Sequence, residues 1–472
     1  MMDPNLIAAL ERIVGPRWVR QRRAELATYA ADGLPTRESL PGVVVLPGSK
    51  DEVAAVVRLL HLLEVPWVAR GAGTGLSGGA LAEAEAVLVT LTRMNRILEV
   101  WPARRRAVVE PGVINAKLSE AVAAHGLQYV PDPSSQSACT IGGNVAENAG
   151  GPHCLKYGVT TNHVTALEVV LPNGTTTRFG SPHGEPWGPD LAGLFIGSEG
   201  MFGVAVEITA RLEPIPRQIR TIHADFMALR AASEAVSAII ATGIVPAALE
   251  MMDQSCVRAV EASIFATGAR TDAAAVLLVE LDGSPEAVAA DSTVVERLLR
   301  THGAREVAAA TAPAERARLW QGRKKAFGAL GRIAPDLAVQ DAVVPRSRLP
   351  EILDRIAAIR DRLGLKISNV FHAGDGNLHP CISFDRRDQD QSRRVEEASR
   401  EIMEACLAVG GSITGEHGVG SDKMEYMVEA FDTPSLDLMC EVRRVFDPAG
   451  RANPGKVFPL RTCREWRQGG VA

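Results

Sequence analysis

The sequence has no CxxC motif and no grouped cysteines. Its seven cysteines, spread over 472 residues, are widely spaced and odd in number. This pattern does not fit a disulfide framework, and it favours the reducing environment of the cytoplasm. It also argues against an iron–sulfur cluster held by this chain, because such clusters need closely spaced cysteine ligands.

Long apolar runs are missing as well. No stretch reaches the about 18 residues that suggest a membrane-spanning helix. At the N-terminus, Asp3, Glu11 and Arg12 interrupt the apolar residues, so the core of a signal peptide is absent. We therefore expect no direct membrane span.

The third absence is an excess of basic charge. Lysine and arginine number 51 against 56 acidic residues, which gives a net charge of -5. Nucleic-acid-binding proteins usually carry a basic excess, so nucleic acid is not expected as the main partner.

The length is too great for one ordinary core, and it predicts two or three domains.

The pattern of apolar residues predicts mixed helices and strands throughout. A β-branched strand at 42–47 is followed by a helix at 49–65, for which Ser49 is the predicted N-cap and Glu52 the capping-box partner. Pro214 and Pro216 mark a boundary, after which alanine-rich helices alternate with strands. The predicted helices of this later part are 227–242, 286–302 and 348–363, and its strands include 274–281 and 366–371.

Three glycine-rich segments lie in the first half of the chain. The segment ARGAGTGLSGGAL (69–81) allows positive φ angles and N–H groups that converge on a phosphate. It is not a Rossmann fingerprint, because Leu76 replaces the third glycine and a strand-like run follows. Segments 131–151 and 197–203 add hydroxyl groups, amides and more glycines. Each segment alone also fits a turn without a ligand, but together they predict one extended ligand with a pyrophosphate and a ring system.

The segment NVFHAGDGNLHP (369–380) carries two histidines around a glycine-rich centre. Its glycines and proline oppose a helix, so we predict a strand–turn–strand that brings His372 and His379 together. With Glu416 of the motif GEHG, they would form a site of two histidines and a carboxylate for Zn²⁺, Mn²⁺ or Fe²⁺. The alternative is that both histidines are ordinary hydrogen-bonded residues.

Six motifs in chain order carry a family resemblance. They are RGAGTGLSGG, PDPSSQSACTIGGNVAENAGG, GSEGMFG, HAGDGNLHP, GEHGVG and NPGKVFP. The series resembles that of FAD-linked 2-hydroxyacid dehydrogenases of the vanillyl-alcohol-oxidase superfamily, in particular the FAD-binding subunits of bacterial glycolate oxidases. Cytochrome-linked D-lactate dehydrogenases are near relatives. The resemblance runs from about residue 40 to about residue 460.

The resemblance implies an α+β fold with non-covalent or covalent FAD. A helical segment (1–37) would precede a two-lobed PCMH-type FAD-binding domain (38–216). A C-terminal α+β substrate domain with an antiparallel sheet (217–460) would follow, and its end (441–460) would return to the FAD-binding domain. The residues implied to bind FAD are Arg70, Gly71, Ala72, Gly73, Thr74, Gly75, Ser77, Gly78, Pro131, Asp132, Ser135, Gly142, Gly143, Asn144, Gly197, Glu199, Gly200, Gly203 and Asn453.

The resemblance also suggests how a 2-hydroxy acid would be oxidised. The divalent metal would bind the α-hydroxyl and one carboxylate oxygen of the substrate. His417 would take the hydroxyl proton as general base. Arg323 would grip the substrate carboxylate, although an Arg-Lys-Lys run is also typical of a solvated helix face. Asn377 would orient a ligand or hydrogen-bond the substrate.

The expected reaction is oxidation of glycolate to glyoxylate. Electrons would pass to flavin-type and iron–sulfur subunits of a glycolate oxidase complex and on to a quinone. The protein would be cytoplasmic and would reach the inner membrane, if at all, through those partners. The alternatives are a stand-alone D-lactate dehydrogenase with a cytochrome or quinone acceptor, a flavin-binding electron-transfer module, and an alkyl-ether-lipid synthase.

One position bears on the size of the substrate. The resemblance implies that relatives acting on dicarboxylic 2-hydroxy acids carry a lysine two places before the aspartate of a D-x-x-x-P strand. Here that aspartate is Asp341, and the earlier position is Val339. An apolar side chain there favours a small monocarboxylate.

Overall fold

The computed structural model describes residues 2–182 and 188–458, and these form two compact units. The first unit contains the chain up to Gly151, Val159–Ile215 and the residues from Glu416 onward. The second contains Pro152–Gly158 and Pro216–Gly415. The domain limits predicted from the sequence stay a prediction, and Met1, residues 183–187 and residues 459–460 of those domains lie outside the described residues.

The helices alternate with strands along both units. The α-helices are α1 (Pro4–Val14), α2 (Arg23–Leu26), α3 (Lys50–Leu62), α4 (Asn115–Val122), α5 (Ile141–Glu147), α6 (Cys154–Tyr157), α7 (Leu191–Phe195), α8 (Leu229–Ala241), α9 (Gln254–Glu261), α10 (Pro285–Thr301), α11 (Pro313–Lys324), α12 (Ala326–Leu330), α13 (Leu349–Leu363), α14 (Gln389–Ala408), α15 (Met427–Ala430) and α16 (Thr433–Phe446). None of these helices, within the ranges that the structure describes, is long and apolar enough to cross a bilayer.

The strands are mostly short and buried. They are β1 (Val19–Arg20), β2 (Val43–Val45), β3 (Trp67–Arg70), β4 (Val87–Thr90), β5 (Ile97–Trp101), β6 (Arg106–Val109), β7 (Leu127–Gln128), β8 (Val164–Val170), β9 (Thr176–Gly180), β10 (Val204–Arg211), β11 (Glu213–Pro214), β12 (Gln218–Phe226), β13 (Ala248–Asp253), β14 (Ala275–Gly283), β15 (Ala304–Ala310), β16 (Asp336–Val339), β17 (Ala342–Val343), β18 (Lys366–His372), β19 (Asn377–Leu378) and β20 (Pro380–Phe384).

The first unit contains two larger sheets, which form its two lobes. One has the order β1-β2-β4-β3, with β2, β4 and β3 parallel. The other has the order β5-β6-β10-β8-β9 and is antiparallel. Helix α3 connects β2 to β3, and its apolar side buries Val53, Val56 and Leu60, as a parallel crossover requires. The predicted N-cap is correct, since the Ser49 hydroxyl accepts from the Glu52 N–H at 3.2 Å.

The second unit is built on an antiparallel sheet. Its strands follow the order β15-β12-β14-β13-β18-β19-β17, and β20 pairs with both β18 and β16. The predicted helices at 227–242, 286–302 and 348–363 correspond to α8, α10 and α13, and the predicted strands correspond to β14 and β18. The fold class predicted from the sequence is therefore confirmed: α+β, with two lobes in the first unit and an antiparallel sheet in the second.

We expect the parallel sheet of the first unit to depend on the volume of Leu88. Its side chain is fully buried in β4 and belongs to the same apolar cluster as Val44 and Val68. Leu88→Ala should leave a cavity and lower the free energy of unfolding by about 2–5 kcal/mol. Leu62→Ala removes the same atoms from a side chain that is 72% exposed, and it should change stability little. Equal denaturation midpoints for the two variants would contradict this packing.

Candidate active site

The first glycine-rich segment begins at the end of β3, and the side chain of Arg70 holds it in place. This buried guanidinium donates to the carbonyl oxygens of Tyr29, Ala31 and Ala80, at 3.3, 2.7 and 3.3 Å. Burial lowers the pKa of Arg70. Gly73 has a φ of 69°, and a Cβ there would collide with the same guanidinium. The residue at this position must therefore be glycine for the loop to close around Arg70.

The same loop leaves polar groups without protein partners. The N–H groups of residues 72–76 donate to no other described residue, and a Cβ added at Gly75 would meet open space. The buried hydroxyl of Ser77 also has no hydrogen-bond partner among the described residues. Ser77 is buried, and an unpaired buried hydroxyl is rare in folded proteins, whereas residues 73–76 are half-buried and Ala72 is exposed. This loop therefore fits an anionic group such as the pyrophosphate of FAD.

The second segment lies beside the first in the same unit. A Cβ at Gly71 would collide with the Thr140 hydroxyl, which caps α5 by accepting from the Gly143 N–H at 3.3 Å. The Asn115 amide donates to Asn144 Oδ1 and to the Pro131 carbonyl, both at 2.9 Å. These hydrogen bonds thus connect two parts of the second segment next to the first glycine-rich segment.

The third segment is joined to the C-terminal part of the first unit. Glu199 has a φ of 49°, and its carboxylate accepts from the N–H groups of Val419 and Gly420, both at 2.7 Å. Asn453 donates through its amide to the carbonyls of Gly79 and Glu199, at 3.1 and 2.5 Å. The predicted FAD-binding segments are therefore neighbours in one unit. Their individual contacts with FAD stay a prediction.

Glu147 is a half-buried residue of this region, with a buried carboxylate oxygen, that our sequence reasoning missed. Its Oε2 has no hydrogen-bond partner among the described residues. A Cβ at Gly418 would come against the carboxylates of both Glu147 and Glu199, so these two acids lie close to each other. Burial raises the pKa of both, and the charge of Glu199 raises that of Glu147 further. The only signal in the sequence was an acidic residue among the small residues of the motif NVAENAGG.

In the second unit, Glu250 joins two residues that the sequence predicted to be functional. Glu250 on β13 stands opposite His372 on β18 in the sheet register, and its Oε1 lies 2.7 Å from His372 Nδ1. Its Oε2 accepts from Arg323 Nε at 2.6 Å. Burial alone would raise the pKa of Glu250, but the Arg323 guanidinium and His372 outweigh it and hold that pKa below its ordinary value.

Arg323 is only 1% exposed, so the alternative of a solvated helix face is wrong for this residue. Its Nη2 lies 2.6 Å from Glu250 Oε2. Neither Nη1 nor Nη2 forms a hydrogen bond with a described residue. A buried guanidinium that is held through Nε and has donors left over at both Nη groups is suited to binding an anion.

The predicted strand–turn–strand brings the two histidines together. The Gly376 N–H donates to the His372 carbonyl at 3.2 Å, with a φ of 83° at Gly376. The rings of His372 and His379 lie 5.1 Å apart between centroids and are nearly perpendicular, at 87°. His379 Nδ1 is 3.2 Å from the Gln340 carbonyl, which can only accept.

The hydrogen bonds of the two imidazoles suit metal ligands. A carboxylate and a carbonyl next to Nδ1 place the ring proton there in each case and leave the lone pair on Nε2. Histidines that bind metals are commonly oriented in this way. Asn377 is buried next to them, and its Oδ1 has no partner among the described residues. Glu416 and His417 belong to the first unit, where His417 Nε2 lies 3.9 Å from Glu416 Oε1, so the complete metal set stays a prediction.

Comparison with known proteins gives the class. Residues 41–180 match the family described as "FAD binding domain", and residues 215–457 match "FAD linked oxidases, C-terminal domain". The solved structure of p-cresol methylhydroxylase superposes with a TM-score of 0.81 over 97% of both chains, at 16% identity, which shows the fold. The fold and the glycine-rich unit thus define an FAD-dependent oxidoreductase of the PCMH type.

Two curated relatives narrow this class. The chain is 47% identical over 463 residues to "Glycolate oxidase subunit GlcD" of Escherichia coli (strain K12), covering 98% of this chain and 93% of that protein. It is 32% identical to "D-lactate dehydrogenase [cytochrome], mitochondrial" of Arabidopsis thaliana, over 90% of this chain and 75% of that protein. The chain belongs to the FAD-linked oxidase family that contains these two proteins.

Glu147 should make stability depend on pH. Its folded pKa is raised above the ordinary value of 4.5, so the folded state binds a proton that the unfolded state releases. The contribution of Glu147 to stability is therefore fully present below that value and is lost as the pH rises through the folded pKa. Glu147→Gln keeps the shape and removes the titration. The melting temperature of the natural protein, relative to that of Glu147→Gln, should fall between pH 4 and pH 8.

A matched control is Glu120→Gln, which neutralises a carboxylate that is 60% exposed. This variant should follow the natural protein across the same pH range. A constant difference between the natural protein and Glu147→Gln at every pH would contradict the raised pKa.

Proposed function

We propose that this protein oxidises a small 2-hydroxy acid, with glycolate as substrate and glyoxylate as product. The family relationship supports the reaction class. The single observation that carries the proposal is the buried cluster in which Glu250 holds Arg323 and His372. A 2-hydroxy acid has a carboxylate and an adjacent hydroxyl. This cluster offers the Arg323 cation for the carboxylate, and the His372 imidazole as a ligand of the metal proposed to bind the hydroxyl.

FAD, when bound, supplies the acceptor for the hydride of the substrate Cα. We propose that residues 70–79, 131–144 and 197–203, together with Asn453, hold it in the first unit. The unpaired N–H groups of residues 72–76 would receive the pyrophosphate. The return of Asn453 to Gly79 and Glu199 would fix two of these segments relative to each other, so the binding loops keep their shape before the cofactor arrives.

Arg323 is proposed to bind the substrate carboxylate. Glu250 accepts a hydrogen bond from Nε of the guanidinium, and Nη1 and Nη2 both have donors left for an incoming anion. Because Arg323 is buried, its hydrogen bond to a carboxylate is stronger than one formed in water. Asn377 is proposed to hydrogen-bond the substrate or to orient His379.

His417 is proposed to take the hydroxyl proton. An imidazole is a suitable general base because its ordinary pKa lies close to neutral pH. Loss of this proton from the hydroxyl and of hydride from Cα leaves a carbonyl, so the product is the 2-oxo acid. The proton and the electron pair thus leave the substrate by two different routes.

His372 and His379, with Glu416 as third ligand, are proposed to hold a divalent metal. When bound, such an ion lowers the pKa of a coordinated hydroxyl. The Nδ1 hydrogen bonds of both imidazoles support this assignment. Zn²⁺, Mn²⁺ and Fe²⁺ all accept two imidazoles and a carboxylate.

The electrons are proposed to leave through flavin-type and iron–sulfur subunits of a glycolate oxidase complex, and from there to a quinone. The name of the Escherichia coli relative, a subunit, supports this view. The protein would act in the cytoplasm and approach the inner membrane through those partners.

The second candidate is a stand-alone D-lactate dehydrogenase, which the relationship to the Arabidopsis thaliana enzyme favours. Val339, half-buried in β16, supports a monocarboxylate in both cases.

The test is anaerobic mixing of the FAD-loaded protein with glycolate, D-lactate or D-2-hydroxyglutarate, followed by the flavin absorbance. Glycolate should bleach the flavin fastest, and D-2-hydroxyglutarate slowest. Faster bleaching by D-lactate would select the second candidate. Faster bleaching by D-2-hydroxyglutarate would contradict the assignment to monocarboxylates, and no bleaching by any 2-hydroxy acid would contradict the proposed reaction.

The metal is tested separately, with His379→Ala and with chelator-treated protein. Both should lose the ion by elemental analysis while FAD stays bound, and both should bleach at least about 100-fold more slowly, since even groups next to metal ligands contribute about 10- to 100-fold. His302→Ala, at the end of α10, is the control and should keep metal and rate. A metal-free natural protein with the full bleaching rate would show that no ion is needed.

A further inference from the structure

The second unit contains a cavity beside the end of β13 and the neighbouring part of β18. The cavity has a volume of about 590 Å³ and lies where α9, α13 and the segment after α12 meet. Asn369 lines it from β18, and Asp253 lines it from the end of β13. Successive side chains of a strand point to opposite faces. Asn369 is three positions from His372, and Asp253 is three positions from Glu250, so the side chains of Asn369 and Asp253 point away from the Glu250–His372 pair.

The charged lining of this cavity is mainly basic. Arg258, Arg332 and Arg360 contribute to its walls, and Asp253 is its single acidic lining residue. The carboxylate of Asp253 is already engaged by N–H donors. It accepts from Cys256 N at 2.9 Å, and from the backbone and side-chain nitrogens of Asn369 at 2.7 and 2.9 Å.

Two of the three arginines lack an acidic partner. Arg258 donates from Nε to the Thr271 carbonyl at 3.1 Å, and neither Arg258 nor Arg332 forms an ion pair with another described residue. Arg360 is paired with its exposed neighbour Asp361 at 2.8 Å. Arg360 also interacts with the charge of Asp253, so the positive charge that lacks a paired carboxylate is that of Arg258 and Arg332.

Apart from the polar residues Gln254 and Ser255, the rest of the lining is apolar. It is formed by the side chains of Leu229, Ala259, Ala262, Ala274, Ile333, Leu353 and Ala357. Small alanines on α9 and α13 leave the space open, and the volume is within the range of about 300–1,000 Å³ that is usual for small-molecule sites. A ligand that fills this space must bring an apolar body together with its charge.

We propose that this cavity is a second binding site, for an organic anion with an apolar body, such as a medium-chain carboxylate. The guanidinium groups would bind the acidic head, and the alanines and leucines would cover the hydrocarbon part. Simple inorganic anions and acetate lack the apolar body, and neutral or cationic chains of the same length lack the charge. This site requires neither the bound FAD nor the proposed 2-hydroxy acid.

The proposal is tested by isothermal titration of the FAD-loaded protein with octanoate, octanol, octylammonium and acetate. Octanoate should bind with one site per chain, and the other three at least about tenfold more weakly, since each lacks either the charge-assisted hydrogen bonds or the buried chain. Equal binding of octanol or octylammonium would overturn the assignment to anions. Equal binding of acetate, or no binding of octanoate, would overturn the site itself.

Variants locate the site. Arg258→Gln and Arg332→Gln should each weaken octanoate binding by about five- to tenfold, and Ala357→Phe should abolish it by filling the cavity. Arg400→Gln, which removes an exposed arginine of α14 outside the cavity, is the matched control and should bind as the natural protein does. Melting curves show that each variant is folded. Unchanged affinity in Ala357→Phe, or the same affinity in Arg332→Gln and Arg400→Gln, would place octanoate elsewhere and overturn the proposal.

Discussion

The carboxylate of Glu250 connects the groups on which the candidate active site depends. It is buried within the sheet of the second unit and contacts Arg323 on one oxygen and His372 on the other. A buried guanidinium without a counter-charge would be strongly destabilising, by about 3–5 kcal/mol when one partner is removed. Glu250 therefore supplies the counter-charge that Arg323 needs inside the protein, and it sets the ring orientation of His372 at the same time.

In the first unit, the corresponding constraint is the return of the C-terminal part of the chain. Asn453 and the segment 419–420 bond to Gly79 and Glu199, which lie far away in sequence. These contacts hold loops that have few internal bonds of their own. The loops can therefore leave N–H groups open for a ligand and still keep their shape. Without these contacts, a glycine-rich segment would be expected to lose its shape.

Local signals in the sequence were enough for much of the fold and part of the site. The helix after Ser49 and the turn between His372 and His379 depend on nearby residues, so periodicity, caps and glycines predict them. Glu250 was missed because it lies in ALEMMD, which reads as an ordinary apolar strand. Its importance arises only from the pairing of β13 with β18, which places it opposite His372, and register between distant strands is not visible in one sequence.

Glu147 and the arginine-lined cavity were missed for the same reason. The cavity takes its walls from α9, α13 and β18, and none of these elements has an unusual sequence by itself. The burial of Arg323 likewise follows from tertiary packing, since its Arg-Lys-Lys run is equally compatible with a solvated helix. The structure thus adds the clusters whose residues come from distant elements, while the local elements could already be predicted from the sequence.

The most direct test of this account is the rate of flavin reduction by glycolate in Glu250→Gln, measured under anaerobic conditions with FAD bound. The account predicts a loss of about 100-fold or more, because misplacement of binding groups by about 1 Å already has an effect of that size, with partial recovery in Glu250→Asp. Glu280→Gln, which neutralises another buried carboxylate on the adjacent strand β14, should keep the rate. Reduction of Glu250→Gln at the natural rate would contradict the account.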